Sequence, residues 1–562
     1  MHATLASTSS APAATFWERL AWRIAGDAQR QRLWAWLGPL LVTLLAGAIR
    51  LIDLAHPHAL VFDETYYVKD AWTLLHLGYE GKWPSSPDPR FLAGETMIFT
   101  GEGSFVVHPP LGKWLIALGL TAFGADTGWG WRIATALCGT LMVLVLIFVA
   151  QRLTGSLAWG LAAGTLLALD GLGIVLSRVA LLDGFLALFV LLAFWFVLID
   201  RERSRTTLAM RIADAEGTGD TVAPAPAWGP VLAARPWAIA AGLALGGACA
   251  VKWSGLWVLA AFGVYLVVAD ALDRRRAGVT LWPAAAVLRQ APVTFVLLVV
   301  PALAVYLVSW TGWLVTAGGY DRQSDPNPLV AFWNYHSAIY RFHVGLTSGH
   351  SYASPAWQWP LMLRPTAMYW KKTDEGMPGC TYHSGCAEAI TSIANPVTWY
   401  GGMIAIIVLA VLFVLAGRRL RRVDGRLRFT GTPAQRSAGT ALVLTALAAT
   451  YLPWLAYPER TIFQFYTVVM IPFVILALVI VLRWVAQGLP ATETGQLVAE
   501  HPDTDMLSMT DDRLARRAAG QWCVAAFLAL VVLFAAFWLP LWTGIPVPYW
   551  FWQLHTPIQG WI

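Results

Sequence analysis

Charge is what this 562-residue chain has least of. Asp, Glu, Lys and Arg together make up 13% of it, whereas a soluble domain carries about 25%. With 57% hydrophobic residues and many long apolar runs, the deficit excludes an ordinary soluble domain and points to a polytopic membrane protein. No basic stripe is interleaved with polar surface, which excludes a nucleic-acid partner. No small-residue cleavage site follows the first apolar run. The basic stretch through Arg19, Arg23, Arg30 and Arg32 therefore reads as the flank of an uncleaved signal-anchor helix. No internal repeat is evident. Cysteine is sparse, with 5 in all. Cys138, Cys249 and Cys523 fall in apolar helices and read as small core residues. Only Cys380 and Cys386 stand in a polar loop.

Apolar stretches and tryptophan are plentiful. The 31 Trp suit the membrane interface, where an amphipathic ring lies at headgroup level. A crossing helix needs about 20 mainly apolar residues. That rule gives spans at 34–54, 130–150, 156–174, 179–199, 236–252, 254–271, 292–312, 398–416, 437–456, 461–484 and 520–542. The expected fold is an all-α polytopic membrane protein of about 11 transmembrane helices. Arginine clusters at 19–32, 152, 201–211, 274–276, 418–428 and 513–517 then fall in alternate connections. By the positive-inside rule these are cytoplasmic, with the N-terminus inside and the C-terminus outside. The net charge of +6 is accounted for by this topology.

The chain divides into a tail 1–33, a membrane core 34–312, a long outer loop 313–397 and C-terminal helices 398–562. The core contains the other long outer loop, 55–129. Structureless loops beyond roughly 12–15 residues are uncommon unless functional. Within the first loop, Val68, Ala71, Trp72, Leu75 and Tyr79 recur at helical spacing, with Lys69, Thr73, His76 and Glu80 opposite. This pattern predicts an interfacial amphipathic helix over Tyr67 to Tyr79. A second helix is expected from Leu111 to Gly124, started by Pro109-Pro110. The stretches 200–235 and 487–512 read as flexible cytoplasmic linkers.

Candidate chemistry gathers at the outer helix ends. Asp63 and Glu64 follow the first span directly, and Arg50 stands across a short Pro- and His-containing connection from them. They read either as solvated loop carboxylates near a helix start or as a working pair. His108 and Lys113 read as a Pro-initiated helix start or as a phosphate contact, for which a compact ammonium suits. Arg132 and Arg178 open spans on the outer side, where snorkelling competes with function. Asp170 and Asp183 flank one turn, and Asp183 is expected to pair with an arginine. His350, Tyr352, Arg364 and Asn395 lie among aromatics of the second loop, as bilayer anchors or as the lining of a sugar-phosphate pocket. Cys380 and Cys386 are expected to form a disulfide, which an exoplasmic face permits. A metal site that adds His383 is the lesser reading.

Arg50, Asp63-Glu64, His108-Pro109-Pro110-Leu111-Gly112-Lys113, Trp131-Arg132, Arg178 through Asp183, His350-Ser351-Tyr352-Ala353-Ser354 and Asn395-Pro396 occur in one order. In that order the chain resembles the protein O-mannosyltransferases, in particular the actinobacterial branch that uses polyprenyl-phosphate mannose. The resemblance covers nearly the whole chain after about residue 33. It implies a GT-C glycosyltransferase fold with a catalytic first outer loop, Asp63 as the base and Glu64 beside it. It also implies donor phosphate and sugar contacts from Arg50, His108, Lys113, Arg132, Arg178, Asp183, His350, Tyr352, Arg364 and Asn395. The implied partners are polyprenyl-phosphate mannose, Ser/Thr-containing secreted proteins, membrane lipid and the Sec translocon, at the plasma membrane. No cofactor is expected. A divalent metal at Asp63/Glu64, as other GT-C enzymes use, is not favoured, because the nearby cations make it unnecessary. There is one departure: the second loop is too short for the β-trefoil MIR domain of eukaryotic members. The competing readings are a GT-C enzyme acting on lipid or cell-wall glycan, and a lipid-linked sugar transporter. The latter would favour charges at the bilayer midplane, whereas here they sit at outer helix ends.

Overall fold

The computed structural model describes residues 14–216, 227–418, 420–423, 426–429, 434–488 and 506–561. Among them, seven helices are long and apolar enough to cross a membrane, or eight if a pair bent by 60° counts as one. In chain order the first elements are α1 (Phe16–Ala25), α2 (Ala28–Leu51), α3 (Glu64–Leu77), α4 (Asp88–Leu92), α5 (Leu111–Phe123) and α6 (Gly128–Thr154). Then come α7 (Leu157–Ala168), α8 (Gly171–Arg178), α9 (Asp183–Glu216), α10 (Pro236–Val251) and α11 (Gly255–Arg276). Further long helices are Trp282–Ser309, Pro396–Arg418, Ala434–Leu455 and Met506–Thr543, with a shorter one at Ile471–Ala486.

The main core is a large apolar cluster built chiefly from α6, α8, α9 and Ile471–Ala486, with α8 buried along its whole length. Their small and branched residues let backbones approach closely, the usual way helices associate in lipid. Outer helices such as Trp282–Ser309 and Pro396–Arg418 leave Phe295, Val300, Ile404, Ile407 and Val411 exposed. That is the surface expected to face hydrocarbon.

Three expectations need correction. The span predicted at 156–174 stops at Ala168, and the chain turns at Asp170 into α8. Asp170 causes the turn: its Oδ1 accepts from Gly173 N at 3.0 Å, capping α8, and its Oδ2 accepts from Asn395 N at 3.0 Å. The predicted linker 200–235 is helical as far as Glu216, because Arg201 is buried against Asp270 and Asp273. Residues 217–226 of it lie outside the described residues, as do 489–505 of the second predicted linker, 487–512, whose end from Met506 is helical. The span predicted at 461–484 begins instead with a buried 3-10 turn, Gln464–Val469.

Both outer-loop helices are present as α3 and α5. Of the polar side expected for the first of these helices only His76 is exposed; Lys69, Thr73 and Glu80 are buried. Lys69 pairs with Asp88, Thr73 Oγ1 accepts from Gly81 N at 3.0 Å, and Glu80 pairs with Lys113. The second outer loop adds a helix, Pro328–Gly345, and a small sheet that helical patterning did not anticipate. Strands β1 (Thr366–Thr373) and β2 (Cys386–Ser392) pair antiparallel from Thr366↔Ser392 to Thr373↔Cys386. The segment Val547–Pro548 pairs with the other edge of β2. Cys380 and Cys386 are joined, with S–S 2.02 Å, across the hairpin tip.

Groups predicted on one face of the membrane do meet. Arg152 pairs with Glu202 at 2.6 Å, and Arg517 pairs with Glu18 of α1. Those connections therefore share one end of the bundle. Arg132, Arg178 and Asn395 contact the Asp63 loop or the α8 turn at the other end. The side chains of Arg418, Arg419, Arg421, Arg422, Arg426 and Arg428 lie outside the described residues.

Candidate active site

Asp63 takes the N-cap position of α3 without using its carboxylate as a cap. The residue before it, Phe62, has φ 52°, a left-handed conformation that costs a bulky residue energy. Packing holds it there: the Phe62 ring lies 5.8 Å from His350, 5.6 Å from Phe463 and 5.7 Å from Phe465. Among the described residues, the one side-chain hydrogen bond to the Asp63 carboxylate is long, from Tyr67 Oη to Oδ2 at 3.5 Å. Burial raises its pKa to about 6. The positive charge of Lys252 opposes that shift and the carboxylate of Asp183 adds to it. A carboxylate with few hydrogen bonds and raised basicity suits general-base work.

Its neighbour Glu64 is held in a network of its own. Glu64 is fully buried. Its Oε1 accepts from Arg132 Nε at 2.8 Å and from Ala180 N at 2.8 Å. Its Oε2 accepts from Arg132 Nη2 at 2.9 Å and from Val61 N at 2.7 Å. Arg132 spends its other donors on the carbonyls of Leu54, Pro57 and Ala59 at 3.2, 3.1 and 2.8 Å. A guanidinium has five N–H groups, and all are used. Arg132 therefore has no donor left for a phosphate. The pair instead ties the first span, the Asp63 loop and the start of α9 into one unit.

Other predicted donor contacts also make hydrogen bonds within the fold. Arg50 is fully buried, donating to Ser177 Oγ, Ala46 O and Leu167 O, each at 3.2 Å. Arg178 covers the carbonyls that end α2, those of Ile49, Arg50, Ile52 and Asp53 at 2.7–3.1 Å. A helix C-terminus left buried needs such partners. Lys113 is buried, pairs with Glu80 and donates to His108 O at 3.1 Å. Asn395 caps the helix Pro396–Arg418 through Oδ1 and donates to Val531 O at 2.9 Å. Arg364 donates to Ser351 O and Gly560 O while lying 5.3 Å from the Tyr352 ring. Asp183 has a partner, but it is Lys252 at 2.7 Å and not an arginine. His350 remains beside Phe62, and Tyr352 N donates to its Nδ1 at 3.1 Å.

A cavity of about 400 Å³ meets the first outer loop at His108. Its polar end holds His108, Asp183, Lys252, Tyr466, His343 and Arg460; its apolar arm runs along Leu186, Val190, Leu256, Val258, Ala449 and Val469. The exposed Leu256, Trp257 and Tyr340 mark where the arm reaches the bundle surface. Asp63 feels the charges of Lys252 and Asp183, and Tyr67 links it to His108, 6.1 Å between rings. Burial, then the charge of Lys252, hold the His108 imidazole pKa well below its usual value. Its buried Nδ1 has no hydrogen-bond partner among the described residues.

Lys252 and Arg460 were not among the predicted site residues. Each left a sequence signal. Lys252 is a lone lysine where two apolar helices meet, and Arg460 is an arginine in a connection the positive-inside rule places outside. Nothing in the sequence marks His343.

A metal held jointly by Asp63 and Glu64 does not fit these residues. Both Glu64 oxygens are filled by four N–H donors.

A bundle of apolar helices, with a free carboxylate and cations over a cavity that opens to the lipid-facing surface, defines a membrane glycosyltransferase of the GT-C type. The solved structure of the S. cerevisiae protein O-mannosyltransferase Pmt1-Pmt2 complex bound to the sugar donor shares the fold. Its TM-score is 0.67 at 14% identity, over 94% of this chain and 92% of that one. Residues 40–212 match the dolichyl-phosphate-mannose-protein mannosyltransferase family profile. Residues 328–561 match the profile of the C-terminal four TMM region of protein-O-mannosyltransferase. The chain is 32% identical to the polyprenol-phosphate-mannose--protein mannosyltransferase of Mycolicibacterium smegmatis, covering 94% of this chain and 93% of the relative. The protein of that name from Mycobacterium tuberculosis is 31% identical over 94% and 92%, and that from Corynebacterium glutamicum 30% over 87% and 85%. The chain belongs to the dolichyl-phosphate-mannose-protein mannosyltransferase family.

Proposed function

We propose that this enzyme moves mannose from polyprenyl-phosphate mannose to Ser or Thr hydroxyls of secreted proteins, on the exoplasmic face of the plasma membrane. The observation that carries the mechanism is an uncommitted carboxylate, Asp63, facing the charges of a cavity that is cationic at one end and apolar at the other. The polyprenyl chain lies in the apolar arm and leaves between Leu256, Trp257 and Tyr340. The phosphate sits at the polar end, near Lys252 and Arg460.

Asp63 takes the hydroxyl proton as the acceptor oxygen bonds to the anomeric carbon. The bond from that carbon to the phosphate oxygen breaks, and polyprenyl phosphate leaves with the electron pair. A single displacement with one base inverts the centre, so a β-linked donor gives an α-mannoside. General-base help of this kind is worth about 10²–10⁴-fold. Charge gathering on the leaving phosphate is met by fixed cations in a site poor in water. Glu64, Arg132, Arg50 and Arg178 hold the Asp63 loop against the first span and do not touch the donor.

Membranes carrying the enzyme, given radiolabelled polyprenyl-phosphate mannose and a Ser/Thr-rich peptide, test the proposal. Base-labile, α-linked label on the peptide supports it. Label found only in lipid or glycan refutes the protein acceptor. Protease protection of tagged termini in intact cells tests the sidedness, with the N-terminus expected inside and the C-terminus outside.

A further inference from the structure

Arg460 is half-buried and, among the described residues, is held without a carboxylate. Arg132, Arg201 and Arg235 face carboxylates. Arg460 is held by a histidine: its Nε donates to His343 O at 3.0 Å and its Nη2 meets His343 Nδ1 at 3.1 Å. Its guanidinium also lies 5.6 Å from the centre of the Trp454 ring. The remaining nitrogen, Nη1, is buried without a hydrogen-bond partner among the described residues, on a residue that lines the cavity. Buried donors left unmade are costly and call for an acceptor.

The histidine is itself pinned. His343 Nε2 lies 2.9 Å from Val107 O. A carbonyl only accepts, so Nε2 carries the hydrogen. A guanidinium only donates, so Nδ1 is bare. One neutral tautomer satisfies both contacts. Burial favours that neutral form and brings the imidazole pKa down to about 4, with the charges of Arg460 and Lys252 acting in the same direction. Val107 directly precedes His108, whose ring is 5.4 Å from that of His343. The histidine therefore clips Arg460, from the C-terminal half, onto the first outer loop.

We infer that His343 is a positioning residue: fixed on Val107 as the Nε2–H imidazole, its Nδ1 holds Arg460 Nη2 beside the grip of its main-chain carbonyl on Nε, and Arg460 Nη1 is left turned toward the donor phosphate. This rests on the phosphate placement proposed above. Asparagine at position 343 puts an amide oxygen near the place of Nδ1 and keeps an acceptor for Arg460. Glutamine reaches toward Val107 and offers nothing at Nδ1.

Steady-state kinetics of the full-length enzyme, with donor and acceptor peptide varied separately, test the inference. His343→Ala raises the KM for the donor about tenfold or more and leaves the acceptor KM within about twofold. His343→Asn recovers most of that loss, while His343→Gln does not. In an Arg460→Ala background, His343→Ala adds little further loss, because the two act as one unit. Asparagine no better than glutamine, donor and acceptor KM rising together, or independent losses in the double variant overturn the inference while the enzyme's function stands. A wild-type enzyme that transfers no mannose from this donor sinks the functional reading and the inference together.

Discussion

Replacing Asp63 by Asn removes a proton acceptor and little else. The carboxylate makes one long contact, and burial disfavours its charge. Neutralising it should leave the folded protein at least as stable as before, while kcat falls by about 10²–10⁴-fold. The same change one residue on, Glu64→Gln, should do the reverse. It sets an NH₂ group among four N–H donors and leaves the fully buried Arg132 without its counter-charge. Removing one partner of a buried pair costs about 3–5 kcal/mol, a large share of a typical folding free energy. The assay is thermal melting of detergent-solubilised protein beside mannose transfer per folded molecule. Asp63→Asn should melt like wild type and be nearly inactive. Glu64→Gln should melt markedly lower, and the molecules that stay folded should keep substantial transfer. If Glu64→Gln melts normally but is inactive, or Asp63→Asn transfers at the wild-type rate, the division of labour between the two carboxylates is wrong.

Further outcomes follow from the same geometry. Asp63 must be ionised to accept a proton, and its pKa is raised to about 6. Transfer should therefore be full above that value and fall about tenfold per pH unit below it, and a flat profile from about pH 8 down to 5 would refute the assignment. Lys252→Met strips a cavity cation and leaves Asp183 buried alone, so both melting temperature and transfer should drop. Adding Asp183→Leu should restore the melting temperature, since an apolar pair can replace a buried ion pair at little cost, but not transfer, as melting and kinetics on both variants will show. Because Glu64 has no oxygen free for a metal, EDTA should leave initial rates unchanged; a loss reversed by added Mg²⁺ or Mn²⁺ would contradict this.

Much of the architecture could be read along the chain because it depends on local pattern. Apolar length marks a span, and arginines in alternate connections rank those connections by side. The pairing of Arg152 with Glu202 and of Arg517 with Glu18 brings together groups assigned to one face. The bend at Asp170 was not legible, because a capping carboxylate inside an apolar run looks like any polar interruption until Gly173 and Asn395 are seen to donate to it. The sheet at β1 and β2 was equally hidden, since its third member, Val547–Pro548, is short and distant in sequence.

From the order of residues alone came the membrane class, the family resemblance, the two outer loops and the prominence of Asp63. Only the folded chain showed which charges are spent and which are free. Arg132, Arg178 and Lys113 looked like phosphate ligands by type and position, yet their donors are taken by carbonyls and carboxylates that folding brings against them. Lys252 and Arg460 looked incidental, yet they face the cavity. The reason is physical: a side chain's charge is fixed by its chemistry, but its availability depends on how many of its hydrogen bonds the surrounding backbone has already filled.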